Sequence, residues 1–333
     1  MKKLFLWAPM PEDGTSLYRA WGPLSQLRKL SNRIELIKAQ GSVNWVDYVQ
    51  IDAAFLQRPF MPNHRALALE CKIYNVPLIS DWDDDLLNVP SDNPTARQYG
   101  EAQSKSNVEE IARMSDLITV STSCLAELKS KFNKNVHVIK NALDPNLLVR
   151  LSSDIPMNPC VMWRGGHTHQ RDLMAHTDSI MEAYKKFPSW SFVFMGYDPW
   201  WIRERMAPER CRYVPFNPQY VYYMRDLVKM RAAIHIVPLA DNQFNKSKSD
   251  IAYLEASCAG SAVLAPNWEE WRNPGATLYE NPDDFGFKLK ELMGSTPKTI
   301  KEKNQEAWEH IQAKRFLHIQ NKQRLELFEK VGL

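Results

Sequence analysis

The chain has 333 residues, of which 44% are apolar and 24% charged, with a formal net charge of +3; that is material for two ordinary cores and the composition of a globular protein. So small a charge does not by itself call for nucleic acid or a membrane surface, though a local basic patch is compatible with it, and no apolar run approaches the ~18 residues of a bilayer span. Five scattered cysteines, Cys71, Cys124, Cys160, Cys211 and Cys258, form no paired spacing, which argues against a disulfide framework or a Cys-rich zinc site and for a reducing cytoplasm.

The first residues, Met1-Lys-Lys-Leu-Phe-Leu-Trp-Ala-Pro9, look like the start of a signal peptide. Their apolar run is short and Pro9 and Pro11 interrupt it, so residues 4–8 are expected to form a first buried strand. Further strands are expected at 34–37, 53–56, 76–79, 117–120 and 136–139. A helix is expected at 121–132, with Ser121 or Thr122 as cap and Leu125, Leu128 and Phe132 on one face. Asn141-Ala-Leu-Asp-Pro-Asn and the polar stretch 152–159 read as a linker. The alternation then restarts, with strands at 160–163, 190–195, 213–214, 233–237 and 262–265, and helices at 172–187, 219–230 and 250–259. The last stretch, 299–333, is charged and helical, with Trp308, Ile311, Phe316 and Ile319 as an apolar stripe; it is expected to pack along one domain, with a crossing back to the first as the alternative.

This pattern predicts an α/β protein with two Rossmann-like doubly wound domains facing across a cleft, residues 1–152 and 153–333, the second carrying the terminal helices. Such sheets bind ligands outside the carboxyl ends of their strands.

Several loops at those ends carry chemistry. After the first strand, Gly14 permits close backbone approach and Arg19 offers a bidentate donor to phosphate or carboxylate, although any strand-to-helix loop can hold one Gly and one Arg. The run Asp81-Trp82-Asp83-Asp84-Asp85 gathers carboxylates that repel one another. A divalent cation, recognition of sugar or acceptor hydroxyls, and a solvated loop capping the next helix all remain open for it. In Trp163-Arg164-Gly165-Gly166-His167-Thr168-His169-Gln170-Arg171-Asp172, two glycines and a following helix start suit a bound anion, with Arg164 and Arg171 able to flank a diphosphate. Packing alone explains that turn poorly. His167 and His169 are read as solvated rather than as metal ligands.

From Asn245 to Ala265, a Lys-rich and Ser-rich turn runs into a short helix that ends at Gly260. Lys246, Ser247, Lys248 and Ser249 can donate to a phosphate at the helix start, and Glu255 can reach a ribose; alternatively this is a capped surface helix with Ser249 as N-cap. The stretch 195–231 interleaves Trp200, Trp201, Tyr220, Tyr222 and Tyr223 with Arg203, Arg205, Arg210, Arg212 and Arg225. It reads either as a surface that stacks bases and contacts phosphates or as an amphipathic domain edge. Val214-Pro215-Phe216-Asn217 exposes main-chain groups that can read a nucleobase edge.

In kind and in order, Arg164-Gly-Gly, Gly196-Tyr197, Val214-Pro-Phe and Lys246-Ser-Lys-Ser…Glu255…Gly260 resemble the donor half of retaining GT-B glycosyltransferases of the glycogen-synthase-like family. Gly14…Tyr18-Arg19 and Asn141-Ala-Leu-Asp-Pro145 resemble that family's first domain, and Asp81–Asp85 with Leu86-Leu-Asn-Val-Pro90 resembles bacterial and phage members. The resemblance implies Arg164 and Lys246 as catalytic cations and Asp84 as the group orienting the acceptor. It further implies donor contacts from Gly14, Arg19, Gly165, Gly166, Arg171, Val214, Ser247, Ser249 and Glu255, and acceptor contacts from Asp81, Asp83 and Asp85. One position departs from the pattern: eight residues before Glu255, where the family has a second Glu, this chain has Ser247. Asp241 or Asp250 are the nearby carboxylates that could replace it.

The implied activity is transfer of a hexose, with retention, from a nucleoside diphosphate sugar such as UDP-glucose. The acceptor is a hydroxyl of a glycan or of a hydroxymethylated pyrimidine in phage-type DNA. No enzyme nucleophile is evident, so the leaving phosphate assists front-face attack and the protein stabilises its charge. The nucleotide-sugar is a co-substrate, no cofactor is required and a metal is not expected. The location would be cytoplasmic, in the host if phage-encoded. A nucleotide-sugar epimerase of the same fold and a non-catalytic nucleotide-sugar or nucleic-acid binding module are the alternatives.

Overall fold

The computed structural model describes residues 1–8, 14–31, 34–38, 50–152 and 155–333. Residues 9–13 of the first loop and residues 153 and 154 of the expected linker therefore lie outside the described residues. The chain divides into two compact units. Met1–Asp144, Lys246–Ser249 and Arg315–Leu333 make the first, and Pro145–Asn245 with Asp250–Lys314 the second.

The first unit is built on a parallel sheet of β1 (Lys2–Trp7), β2 (Ile34–Lys38), β3 (Ala53–Gln57), β4 (Leu78–Trp82), β5 (Leu117–Val120) and β6 (Val136–Val138), in the order β2-β1-β3-β4-β5-β6. Its central strands are near-continuous apolar runs because helices cover both faces of the sheet. Ala53, Phe55 and Ile79 pack with Leu4, Leu24 and Phe328 on one face, while Ala54, Leu56 and Leu78 pack with Leu67, Val108 and Ile111 on the other.

The second unit holds β7 (Asn158–Gly165), β8 (Ser191–Gly196), β9 (Cys211–Pro215), β10 (Ala232–Ile236), β11 (Ala262–Pro266) and β12 (Thr277–Tyr279), all parallel, in the order β12-β11-β10-β7-β8-β9. The chain winds outward from β7 through β8 and β9, then returns to the other side of β7 with β10. The strand order therefore reverses between β7 and β10, the position where doubly wound sheets take their ligands. Along β7, Val161 and Trp163 join the core with Phe194, Ile234 and Phe285, whereas Cys160 and Met162 face Val193, Leu227 and Val228. The two-residue period of a strand puts Arg164 on the Met162 face, just where the strand ends.

Two elements differ from the sequence reading. β4 continues to Trp82 instead of stopping at Ile79, so Asp81 lies within the sheet, paired in register with Gln57 and Thr119. The single helix expected at 172–187 is two, Gln170–Met174 and Thr177–Lys186. The terminal helices divide between the units, one of the two arrangements the sequence allows. Pro297–Lys314 stays with the second unit, but Leu317–Lys330 belongs to the first. Leu327 and Phe328 bury there among Leu4, Leu6 and Leu27. No helix among the described residues is long and apolar enough to cross a membrane.

Candidate functional site

In the first unit, the polar residues at the carboxyl edge of the sheet are paired with one another. Arg19, with no exposed surface, closes the helix Gly14–Arg19 and meets Asp81 with both ends of its guanidinium, Nε to Oδ1 at 3.0 Å and Nη2 to Oδ2 at 2.6 Å. Its remaining nitrogen donates to the Ile139 carbonyl and, at 3.1 Å, to Asn141 Oδ1, while Thr119 Oγ1 donates to Asp81 Oδ2 at 2.6 Å. What reads in sequence as one donor ligand and one acceptor ligand is thus a single buried ion pair. Asp83 and Asp84 both accept from Arg58, a residue with φ of +48° at the end of β3. Burial works against the charge of Arg58, but the neighbouring Asp83 and Asp84 carboxylates outweigh it and hold its pKa above the ordinary value. Asp85 turns back on its own loop, accepting from the Leu87 amide at 3.2 Å and Asn88 Nδ2 at 2.7 Å.

The Lys-Ser segment shares this surroundings. Lys248 Nζ lies 3.4 Å from Asp84 Oδ1, Ser249 Oγ accepts from Asn141 Nδ2 at 2.8 Å, and the Ser247 carbonyl accepts from Thr122 Oγ1 at 3.0 Å. Ser247 is fully buried, Lys246 is exposed, and the helix that follows, Ile251–Cys258, starts after Asp250 rather than Ser249. Gly260 takes the left-handed conformation just beyond its end, with φ of +83°. Gly14 is exposed and opens its helix, with no atom of the described residues near where a Cβ would sit.

The second unit gathers a different set at the end of β7. Arg164 Nη2 lies 2.9 Å from Glu255 Oε2, the carboxylate being 4% exposed and the guanidinium 22%. Tyr223, on the helix Tyr220–Met230, donates to the same oxygen at 2.7 Å. Burial, opposed by Arg164 and reinforced by Glu255, pushes the Tyr223 phenol well above its ordinary pKa, so it stays a donor. His235 of β10 is 1% exposed and neither ring nitrogen has a hydrogen-bond partner among the described residues; burial first, and then the Arg164 charge, push its imidazole down to about 3.

Past Arg164 the chain makes the Gly165-Gly166 turn. A Cβ on Gly165 would lie 2.5 Å from the Trp163 ring, and one on Gly196 would lie 2.5 Å from the Gly165 carbonyl, so these two glycines let β7 and β8 pack at their ends. Gly166 is exposed and open, and Arg171 is exposed on the next turn. Asp172 fixes the turn: His169 Nδ1 donates to it at 2.8 Å, the Ala240 amide at 3.0 Å and Asn245 Nδ2 at 2.6 Å. Burial opposes its charge, but these donors outweigh it and hold the carboxyl below the usual carboxylate range. The loops after β7 and β10 are thereby tied together at the switch point. Val214 lies 8% exposed near the end of β9, with Phe216 beyond it 68% exposed.

The sequence reading singled out Arg164 and Glu255, which the structure brings into contact. In sequence, Tyr223 reads only as a stacking aromatic and His235 carries no signal. The spacing of Tyr223, three residues into a helix behind the β9 loop, was the available signal. Among the described residues no group of three His, Cys, Asp or Glu is placed to hold a metal ion; the acidic run faces Arg58 and Lys248 instead.

Two doubly wound six-stranded parallel sheets with a helical terminal segment are the GT-B fold, the architecture of a large class of glycosyltransferases. Solved structures similar to this chain include a glycosyltransferase from Rickettsia africae, at a TM-score of 0.67 and 11% identity over 99% of this chain and 98% of that one. Anabaena HepE in complex with UDP matches at 0.66 and 13% over 99% and 100%. TarM, known from S. aureus, matches at 0.64 and 12% over 83% of this chain, which spans 54% of TarM's length. A putative UDP-N-acetylglucosamine 2-epimerase from Listeria monocytogenes matches at 0.58 and 12% over 97% and 94%. At these identities the likeness is one of fold. No protein-family model and no curated protein sequence matches the chain.

Proposed function

We propose that the protein is a retaining glycosyltransferase that moves a hexose from a nucleoside diphosphate sugar, a UDP-sugar in preference, to an acceptor hydroxyl. The observation that carries this reading is the contact between Arg164 and the buried Glu255 at the end of β7. It sets a cation suited to a diphosphate against a carboxylate suited to ribose hydroxyls, at the switch point of a nucleotide-binding type of sheet. Arg164 offsets the charge of the departing diphosphate, Arg171 and the Gly166 turn flank it, Glu255 accepts from the ribose, and the Val214 main chain meets the base. Charge stabilisation at the leaving group is the main catalytic demand when an oxocarbenium-like sugar forms.

The test is mass spectrometry after incubation with a panel of nucleotide-sugars, with and without glycan and hydroxymethylated DNA acceptors. One donor should be hydrolysed or transferred, and Arg164→Ala should lower turnover by roughly a hundredfold, with Lys246→Ala compared alongside. If no donor is bound, hydrolysed or transferred, the reading is wrong. Epimerised nucleotide-sugar without acceptor would assign the epimerase class, and a donor bound but never turned over would assign a binding module.

A base in DNA as acceptor draws support from exposed aromatic side chains of the second unit. Trp200, Phe216 and Tyr222 are 57%, 68% and 51% exposed, and Arg225 lies 5.6 Å from the Tyr222 ring. Not all the local arginines serve it, since Arg203 pairs with Asp198 and Arg210 with main-chain carbonyls. DNA binding that weakens steeply with salt would favour this acceptor over a glycan.

A further inference from the structure

We propose that Tyr223 is a positioning residue of the donor site: it aims the Glu255 carboxylate at the ribose and keeps that carboxylate satisfied when Arg164 turns to the diphosphate. The inference rests on the donor-site reading above and deepens it.

Arg164 and Tyr223 converge on one oxygen, Glu255 Oε2, at 2.9 and 2.7 Å. A carboxylate only 4% exposed depends on its partners, because removing one partner of a buried pair leaves a charge without compensation. Arg164, 22% exposed against 4% for Glu255, is the more accessible partner, and a diphosphate is a stronger attraction for a guanidinium than one carboxylate. When Arg164 responds to it, the Tyr223 bond still holds Oε2 in the geometry that reads the sugar ring. Tyr223 suits that task. Its phenol is neutral, so phosphate does not draw it away, and it stands on a helix whose preceding loop continues from the Val214 strand. Seating of the base beside β9 and of the ribose beside Glu255 are thereby linked through one short helix. A phenylalanine would fill the same space and leave Oε2 without its second donor.

The experiment is calorimetric titration of the wild type, Tyr223→Phe and Glu255→Gln. The ligands are whichever of UDP, GDP and ADP binds the wild type most tightly, and the 2′,3′-dideoxy form of that nucleotide. Tyr223→Phe is expected to weaken the ribonucleotide by about tenfold, the scale of one hydrogen bond to a charged group, and the dideoxy form by less than about twofold. Glu255→Gln should lose the same discrimination, and adding Tyr223→Phe to it should cost little more. Equal weakening of both ligands in Tyr223→Phe would show a merely structural role and overturn the inference, as would unchanged affinity for both. Should Tyr223→Phe fail to fold, undiminished discrimination in Glu255→Gln alone overturns it. Failure of all three nucleotides to bind the wild type removes the donor-site reading, and the inference with it; that outcome is distinct from the others, which all require wild-type binding.

Discussion

Asp81 shows how a single residue changes meaning once its partner is known. Its carboxylate is 1% exposed and accepts from two of the three guanidinium nitrogens of Arg19, which has no exposed surface at all. Removing the negative charge while keeping the shape, Asp81→Asn, should destabilise the first unit by about 3 to 5 kcal/mol, the range for breaking a buried pair. Chemical denaturation reads this directly, and a midpoint within error of wild type would show that Arg19 is held by its other acceptors. The two residues are 62 positions apart, and no local spacing can reveal that they meet. Arg164 and Glu255 were legible for the opposite reason: each sits in a local context, a Gly-Gly turn and a Ser-rich helix start, that carries a signal without its partner.

Elements were readable where burial left an unbroken apolar run and unreadable where a polar residue belonged inside. β5 was anticipated residue for residue, and β11, AVLAP, is buried throughout. In sequence β4 ends at Ile79 because Ser80 and Asp81 are polar, yet Ser80 Oγ bonds Ser115 Oγ at 2.6 Å and both residues stay buried. The helix expected at 172–187 breaks because His176 Nδ1 donates to the Asp172 carbonyl at 2.8 Å and its ring packs on Tyr279 and Phe285. β12 has only three residues and no pattern to find. For the helix Ser123–Ser130 the expected cap holds, Thr122 Oγ1 accepting from the Leu125 amide at 3.2 Å. Thr122→Ala should cost about 1 kcal/mol from the cap alone, seen as a lowered melting temperature. At the far end of Ile251–Cys258, Gly260→Ala should cost about 1 to 2 kcal/mol, since φ is +83° and the new methyl would meet Met157 Sδ at 3.1 Å.

Across the whole molecule, buried neutral histidines tie stability to acid. His64 has no exposed surface and its Nδ1 accepts from the Phe60 and Met61 amides at 3.1 Å. Burial pushes its pKa down to about 4, and that of His235 to about 3. An unfolded histidine takes up a proton below about pH 6.5, whereas these two in the folded chain do not until far lower. Both folded values are depressed, so their contribution is fully present above the unfolded value and is lost as pH falls from there toward 4 and 3. Between pH 7 and 5 each should remove about 2 kcal/mol. Denaturation midpoints across that interval should fall accordingly, and a His64→Gln/His235→Gln variant should show a flatter profile; an equal slope in both proteins would refute the attribution.

The placement of Leu327 and Phe328 among Leu4, Leu6 and Leu27 has a bearing on how the protein is made. A ribosome delivers residues in order, and domains generally fold as they emerge. Here the second unit, whose last residue is Lys314, has all its residues before the first unit receives Arg315–Leu333. The part of the first unit that Leu327 and Phe328 cover, beside Leu4 and Leu27, is therefore closed only after the second unit has been made. A stop codon just after Lys314 should leave the later-made half folded and the earlier-made half sticky, the reverse of what synthesis order alone suggests.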